Sequence, residues 1–531
     1  MKYMKLGNRP DTFYTDEATR TLISDIPTDL VISIHNTTYL LHKLQHALLP
    51  KCELLLTNSN DVISMELHDI PGGEDSFELC AKFCYGIAIQ LSARNVVSAF
   101  CAAKFLQMTD DQNNSSNLVQ KLDLFFKSCI LEGWKDSIVA LQTTTDLPKW
   151  SERFGVVRSC MDSILDKILT PPSKVTWSFT YTRPGYEQKN HRSVPKDWWT
   201  EDLSDIDIDL FRCIITAIVK STATTPFSSQ LIGEALHVYL CRWLPLPINQ
   251  NQTNHVAAES SNGQSEQRKI VEVISGLIPS EKGAVSFRFL MRLLSNVNSL
   301  RVSSATKAEL IRKAGSQLES AAVDDLLLAN HDIDTVRRVV ESFLTQNWRK
   351  NNRSSVNHNM LIMKIGNLID SYLQVIARDS RTTVSKFLSL ASSLPDIARQ
   401  DHDHLYKAIN NYLKEHPEVK KEEKKRICRI LDCTKLSPQV CSHAVRNERL
   451  PLRTVVQLLF FSGLDNINIT SSTKTTNIPS QQEEEEEMVE LDSITHDGCD
   501  QSKRKGIRNK EGLDHTSEMM SRNGTPRIQR R

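Results

Sequence analysis

Asp401-His402-Asp403-His404 sets four potential metal ligands side by side, since carboxylates and imidazoles both bind divalent ions. A metal-dependent hydrolase is the chemistry they would allow. Against it, neighbouring residues on a helix point in different directions, so one ion cannot readily gather all four. The simpler reading is a polar first turn for a helix over 405–413, where acids favour the helix dipole. Cys428, Cys433, Cys441 and His443 form a second candidate set, for zinc. Their spacing is not the paired Cys-x2-Cys of structural zinc sites. Cys428 also sits beside Ile427, Ile430 and Leu431 on a core face, so buried thiols fit better. Cys80 and Cys84 lie one helical turn apart with no second pair nearby, again a core pattern. No phosphate loop, dinucleotide glycine fingerprint, kinase signature or Gly-x-Ser-x-Gly elbow occurs. The 18 glycines leave little material for cradling phosphates. No cofactor, resident metal or catalytic set is expected.

Two features of the C-terminal stretch remain. Lys503-Arg504-Lys505, with Arg508 and Lys510, fits a nuclear signal, an anionic-lipid patch or a merely solvated tail. Ser521 and Thr525 stand beside arginines and are candidates for phosphorylation, which would add strong acceptors there.

The elements that must position these residues follow from composition and periodicity. The chain has 531 residues, 40% of them hydrophobic, and a formal net charge of +1. That length predicts roughly three to four domains, and the near-zero charge argues against a generally basic nucleic-acid binder. No stretch approaches the ~18–20 apolar residues of a membrane span. The start lacks an apolar run after its lysines, so a secretory signal is not expected and the protein is read as intracellular. Twelve cysteines are too sparse for a disulfide scaffold. Cys80, Cys84, Cys101, Cys129 and Cys213 sit inside apolar stretches as small hydrophobes.

Four zones emerge. Leu30-Val31-Ile32-Ser33-Ile34, Tyr39-Leu40-Leu41 and the alternating Ile63 to Leu67 read as strands. Pro71-Gly72-Gly73 breaks the chain before a helix through Phe77, Cys80 and Cys84. A second helix, with Ser92 as its expected N-cap, carries Val96, Val97, Phe100, Cys101 and Phe105. The second zone, about 114–169, is helical, with one stripe at Leu118, Leu122, Phe125 and Phe126 and another through Val156, Cys160 and Ile164. The third, about 195–464, has almost no strand signal. Ser204 is expected to cap a helix through Phe211 and Ile218. Residues 249–267 read as an exposed loop, and helices follow over 270–277, 285–294, 310–328, 333–343, 360–376 and 405–413. A final helix after Pro451 has Leu452, Val455, Val456, Leu459 and Phe460 at the spacing of one core-facing stripe. From about Ser471 the chain is expected to be disordered: positions 483–500 hold nine acids and no Lys or Arg.

Several of these segments are familiar. Asp29 to Ile34, Tyr39-Leu40-Leu41-His42-Lys43 and Phe77 to Gly86 resemble a BTB/POZ domain, and Val96 to Met108 resembles that domain's late helix pair. His68-Asp69-Ile70-Pro71-Gly72-Gly73, Asp197-Trp198-Trp199, and Tyr406 with Tyr412-Leu413-Lys414-Glu415-His416-Pro417 narrow the match. So does Asn447-Glu448-Arg449-Leu450-Pro451. Together they resemble the plant nonphototropic-hypocotyl and root-phototropism-like (phototropic-responsive) family.

The resemblance implies an α+β fold: a BTB/POZ α/β domain over 28–110, a helical linker region over 111–194, an all-helical family-specific domain over 195–465, and a disordered charged tail over 466–531. It implies a non-enzymatic adaptor. The BTB module would pair with itself or a relative and dock on cullin-3, and the helical domain would recruit a target for ubiquitination. The setting would be phototropic or auxin-related signalling, with a phototropin-type receptor among the expected targets. No nucleic acid is expected, and peripheral attachment at the plasma membrane is the alternative role, as a scaffold outside any ligase. This sequence departs from the family in having Asn410 where relatives commonly have aspartate, and Leu48-Leu49-Pro50-Lys51-Cys52 after the first BTB helix. It also lacks the C-terminal heptads of many relatives. Trp198 and Trp199 suit either partner anchors or packing at the start of the helical domain; packing is the expectation.

Overall fold

Leu30, Ile32 and Ile34 alternate with half-buried residues, as do Thr37, Tyr39 and Leu41, so each strand lays one face on a core. The computed structural model describes residues 2–23, 25–42, 63–108, 117–183, 193–221, 229–244, 261–329, 332–350 and 356–461. In it β4 (Leu30–Ile34) and β5 (Thr37–Leu41) form an antiparallel hairpin turning at His35, whose φ is 48°. Around the hairpin stand β2 (Phe13–Asp16), β3 (Thr19–Leu22) and β6 (Ile63–Glu66), in the order β2-β3-β5-β4-β6. The β3–β5 and β4–β6 pairs are parallel. A separate antiparallel pair joins β1 (Tyr3–Leu6) to β7 (Ile89–Ser92). Residues ahead of Pro27 thus share both sheets with residues after it.

Helices α1 (Gly73–Cys84) and α2 (Val96–Phe105) complete this module. Phe77 of α1 is fully buried, edge-on to Tyr39 at 4.8 Å. Ser92 ends β7 and does not cap α2. Asn95 precedes the helix instead, and its Oδ1 accepts the Ser92 N–H at 2.8 Å, which ties the strand to the helix start.

The next helices are α3 (Leu118–Phe125), α4 (Trp134–Thr143), α5 (Pro148–Arg153) and α6 (Val156–Leu169). They are built onto the module. Phe105 of α2 meets Trp150 of α5 edge-on at 5.5 Å, and Phe100 meets Phe154 at 6.1 Å. Offset or edge-on aromatic pairs of this kind contribute about 0.5–1.5 kcal/mol beyond area burial.

The long helical part follows with α7 (Thr200–Leu203), α8 (Ile208–Ser221), α9 (Ser229–Trp243), α10 (Ser261–Leu277), α11 (Phe287–Ser299) and α12 (Ser304–Gln317). Then come α13 (Val323–Leu327), α14 (Ile333–Lys350), α15 (Val356–Ile376) and α16 (Val384–Ala391). The end is α17 (Asp403–Glu415), α18 (Lys421–Cys428), α19 (Pro438–Val445) and α20 (Leu452–Phe461). Three sequence expectations fail here, the first being the single helix over 310–328, which is two, α12 and α13, parted by a 3-10 turn at Leu318–Ser320. Ser204 closes α7, and α8 begins after Asp207, whose carboxylate accepts the Asp209 N–H at 2.8 Å. The segment expected to stay a loop to Gln267 is already helix from Ser261, because its polar residues are the exposed first turns of α10.

Residues Met1–Leu464 form one compact unit. No described helix is long and apolar enough to cross a membrane. Lys43, the Pro50 segment, the 483–487 acidic run, Ser521 and Thr525 lie outside the described residues.

Candidate functional site

The metal-ligand run at the start of α17 is spent on four separate contacts. His402 is buried and its Nδ1 accepts the Asp432 N–H at 3.0 Å, while Asp403 accepts the Ser437 N–H at 2.9 Å. Asp401 accepts the Asp403 N–H at 3.3 Å, and the His404 carbonyl accepts from Gln374 at 3.2 Å. Burial, helped by Lys435 and Arg399, holds the His402 imidazole below its ordinary pKa. Among the described residues no three His, Cys, Asp or Glu side chains are grouped to hold a metal. Cys428 and Cys441 are buried, and burial pushes the Cys428 thiol up to about 12, as expected of core cysteines. Cys80 and Cys101 are likewise buried and Cys84 and Cys129 half-buried, but Cys213 is exposed. It lies on α8, whose core face is Phe211, Ile214, Ile215 and Ile218.

The motif residues mostly build the scaffold. His42 is buried: its Nε2 stands 2.9 Å from the Ile26 carbonyl, and its backbone N–H donates to the Tyr85 hydroxyl at 3.0 Å. Pro71-Gly72-Gly73 forms the turn into α1. Gly72 has φ 76° and a Cβ there would stand 2.2 Å from Ser76 Oγ, so only glycine fits. A groove of about 740 Å³ opens beside the two glycines, lined by Glu78, Lys82, Arg94 and Asp146. Lys82 pairs with both Asp11 (2.6 Å) and Glu78 (2.7 Å).

Trp198 and Trp199 are at most 1% exposed. Trp198 packs on Trp134 at 4.7 Å and on Trp177 and Phe179 at 5.6 Å each. The Trp134 indole N–H donates to Asp202 at 2.7 Å, fastening α4 to α7. Packing, not partner anchoring, is what both indoles do in this fold.

A polar knot joins α17 to α19. Asn447 Nδ2 donates to the Tyr406 hydroxyl (3.1 Å) and to Asn410 Oδ1 (2.8 Å), and the Tyr406 hydroxyl stands 2.7 Å from His443 Nδ1. Asn447 Oδ1 in turn accepts the Arg449 N–H at 3.1 Å. Burial pushes the Tyr406 phenol up to about 12. Tyr412 donates to the Thr382 carbonyl at 2.6 Å, and His416 stacks on its ring at 4.1 Å. Pro417, Glu448 and Arg449 are exposed.

What sequence reasoning missed is the surface this knot presents. Thr454 and Leu458 of α20 are the buried positions, set against α18 and α19. At 3.6 residues per turn the row Leu452, Val456, Phe460 then lies roughly 200° around the helix. It faces outward: Leu452 is 78%, Val456 55% and Phe460 75% exposed. Arg446, Arg449 and Arg453 are exposed beside it in sequence. The stripe expected in the core is therefore largely a surface. An exposed apolar row rimmed by cations is the physical form of a protein-interaction site.

Comparison with known proteins agrees with this architecture. The model of the NPH3 family matches residues 197–441. A BTB/POZ domain-containing protein of Arabidopsis thaliana is 56% identical over 479 residues, covering 87% of this chain and 84% of the relative. The phototropic-responsive NPH3 family protein NPY1 of the same plant is 37% identical over 487 residues, covering 87% and 82%. Root phototropism protein 3, also from Arabidopsis, is 32% identical over 589 residues, covering 88% and 78%. The fold is that of a BTB/POZ module carrying an all-helical domain. The chain belongs to the NPH3 family of BTB/POZ domain-containing proteins.

Proposed function

We propose that the protein is the substrate-recruiting adaptor of a cullin-3 RING ubiquitin ligase in phototropic or auxin-related signalling. The observation that carries this reading is the aromatic packing that joins its two halves. Aromatic contacts from Phe100 and Phe105 to Phe154 and Trp150, then Trp134 to Trp198, run from the α/β module into the helical domain. An adaptor needs that: an enzyme assembly held at one end stands at a fixed distance from a client held at the other. We assign the module, over 28–110 or somewhat more, to self-pairing and cullin-3, and the region 195–465 to the client. The exposed row on α20 is the client surface we favour, with Asn447 and Tyr406 positioning it. The relatives' names place them in phototropic responses, which supports a photoreceptor or its signalling partner as client. Catalysis belongs to the partners.

The test is affinity purification of the full chain with quantitative partner identification, beside reconstitution with purified cullin-3. Co-elution with cullin-3, and client ubiquitination that needs this chain, would bear the proposal out. A chain that captures clients at the membrane but never binds cullin-3 would replace it with the scaffold role.

A further inference from the structure

Gly366 lets α15 press against the turn that follows α16: a Cβ there would stand 2.1 Å from the Ala398 carbonyl oxygen. One helical turn earlier, at Ile362, the elements part. Between the end of α14, the start of α15 and the segment after α16 lies a cavity of about 350 Å³, within the ~300–1,000 Å³ of small-molecule sites. Leu344, Ile362 and Leu394 give it an apolar wall. Its polar groups are Asn347, His358 and the hydroxyls of Ser392 and Ser393. Ser393 Oγ donates to the Leu390 carbonyl at 2.7 Å, so towards the cavity it can only accept. Asn347 Nδ2 donates to the Phe343 carbonyl at 3.0 Å, which holds that amide in place. His358 differs from both. It is only 7% exposed, and its Nδ1 is buried with no hydrogen-bond partner among the described residues. A buried polar atom without a partner is costly, and native folds rarely keep one. No Lys, Arg, Asp or Glu is among the described residues that line the cavity.

We propose that this cavity binds a small, uncharged organic molecule, which lays a ring on the apolar wall and hydrogen-bonds His358 Nδ1. The lining dictates the lack of charge: a carboxylate or an ammonium group would lose its hydration there and meet no opposite charge. Nδ1 dictates the polar end. That nitrogen donates or accepts according to the tautomer, and a primary amide, carrying both a donor and an acceptor, meets either case. An apolar wall with a few placed polar groups is the ordinary form of such a site. Because three elements each supply part of the wall, the ligand ties them together. It binds the folded chain alone and therefore raises melting. The adaptor role uses none of these residues.

The test uses the full chain and three probes built on one ring system: naphthamide, naphthoate and naphthalene. Affinity is read from the saturable rise in melting temperature, and location from hydrogen exchange followed by mass spectrometry. Naphthamide should bind about tenfold tighter than either other probe, the size expected for one hydrogen bond to a buried atom. It should slow exchange in peptides covering 358–366 and 388–396. In His358→Phe, which keeps a ring but no ring nitrogen, naphthamide and naphthalene should bind alike. That ratio is taken within one protein, so a general loss of stability in the variant cancels. Equal binding of naphthamide and naphthalene by the unaltered chain would mean that solvent alone serves Nδ1, and would overturn the proposal. So would naphthoate binding tightest, naphthamide showing no saturable binding, or protection confined to other segments.

Discussion

Replacing Trp198 with alanine tests the packing role directly. Its indole is buried to 1% exposure and touches three aromatic rings within 5.6 Å, from Trp134, Trp177 and Phe179. Truncating a buried tryptophan costs about 3–5 kcal/mol through lost transfer energy and the cavity left behind. Three aromatic contacts at about 0.5–1.5 kcal/mol each place it toward the upper end. In a compact unit spanning Met1–Leu464 a melting entropy of about 2.1 cal/mol/K per residue gives a shift of about 1 °C per kcal/mol, so roughly 3–5 °C. Scanning calorimetry of the full chain reads it directly. Trp198→Phe, which keeps a ring against Trp134, should recover about half. Binding to cullin-3 or a client should fall only in proportion to the unfolded fraction. A Trp198→Ala chain that melts within a degree of the parent but no longer captures its client would refute the packing argument and make Trp198 an anchor.

Four further outcomes are expected. Asn447→Ala removes two donated hydrogen bonds from the α17–α19 knot and should cost about 1–3 kcal/mol, read as faster amide exchange in 438–461; exchange unchanged there would remove the knot's positioning role. Gly366→Ala places a Cβ 2.1 Å from the Ala398 carbonyl oxygen and should strongly lower melting, whereas Gly263→Ala meets nothing within 4 Å and should raise stability by up to about 1 kcal/mol. Because His402 is held below its ordinary pKa, the unfolded chain binds its proton at higher pH than the folded one; stability is full above about 6.5 and is lost as pH falls toward the folded value. His402→Asn should therefore flatten the melting profile between pH 7.5 and 5, and a slope equal to the parent's would count against it. Leu452→Asp with Val456→Asp should leave melting nearly unchanged, as surface changes do, yet abolish client capture; a large drop in melting would show the row to be packed.

The module's central hairpin was legible because Leu30, Ile32 and Ile34 alternate cleanly. The strands 3–6, 13–16 and 19–22 were not, being four residues each with half-exposed faces. Nothing local tells 19–22 and 3–6 that they have partners in 37–41 and 89–92. Amphipathic α17 was read correctly. Helix α20 was misread for a physical reason: it is apolar almost all round, so periodicity marks a helix without choosing its buried face. Only α18 and α19, which receive Thr454 and Leu458, make that choice. Ser204 and Ser92 failed as caps because a capping residue type is also common at helix ends and in turns.

The pairing of Tyr3–Leu6 with Ile89–Ser92 carries a practical warning. A fragment cut at residue 28 to isolate the module leaves the later strand with a bare row of amide N–H and carbonyl groups. Such a row is a template for any extended chain nearby. Excised fragments would zip to one another along it, and an assay for self-association would score an artefact of the cut as the natural dimer.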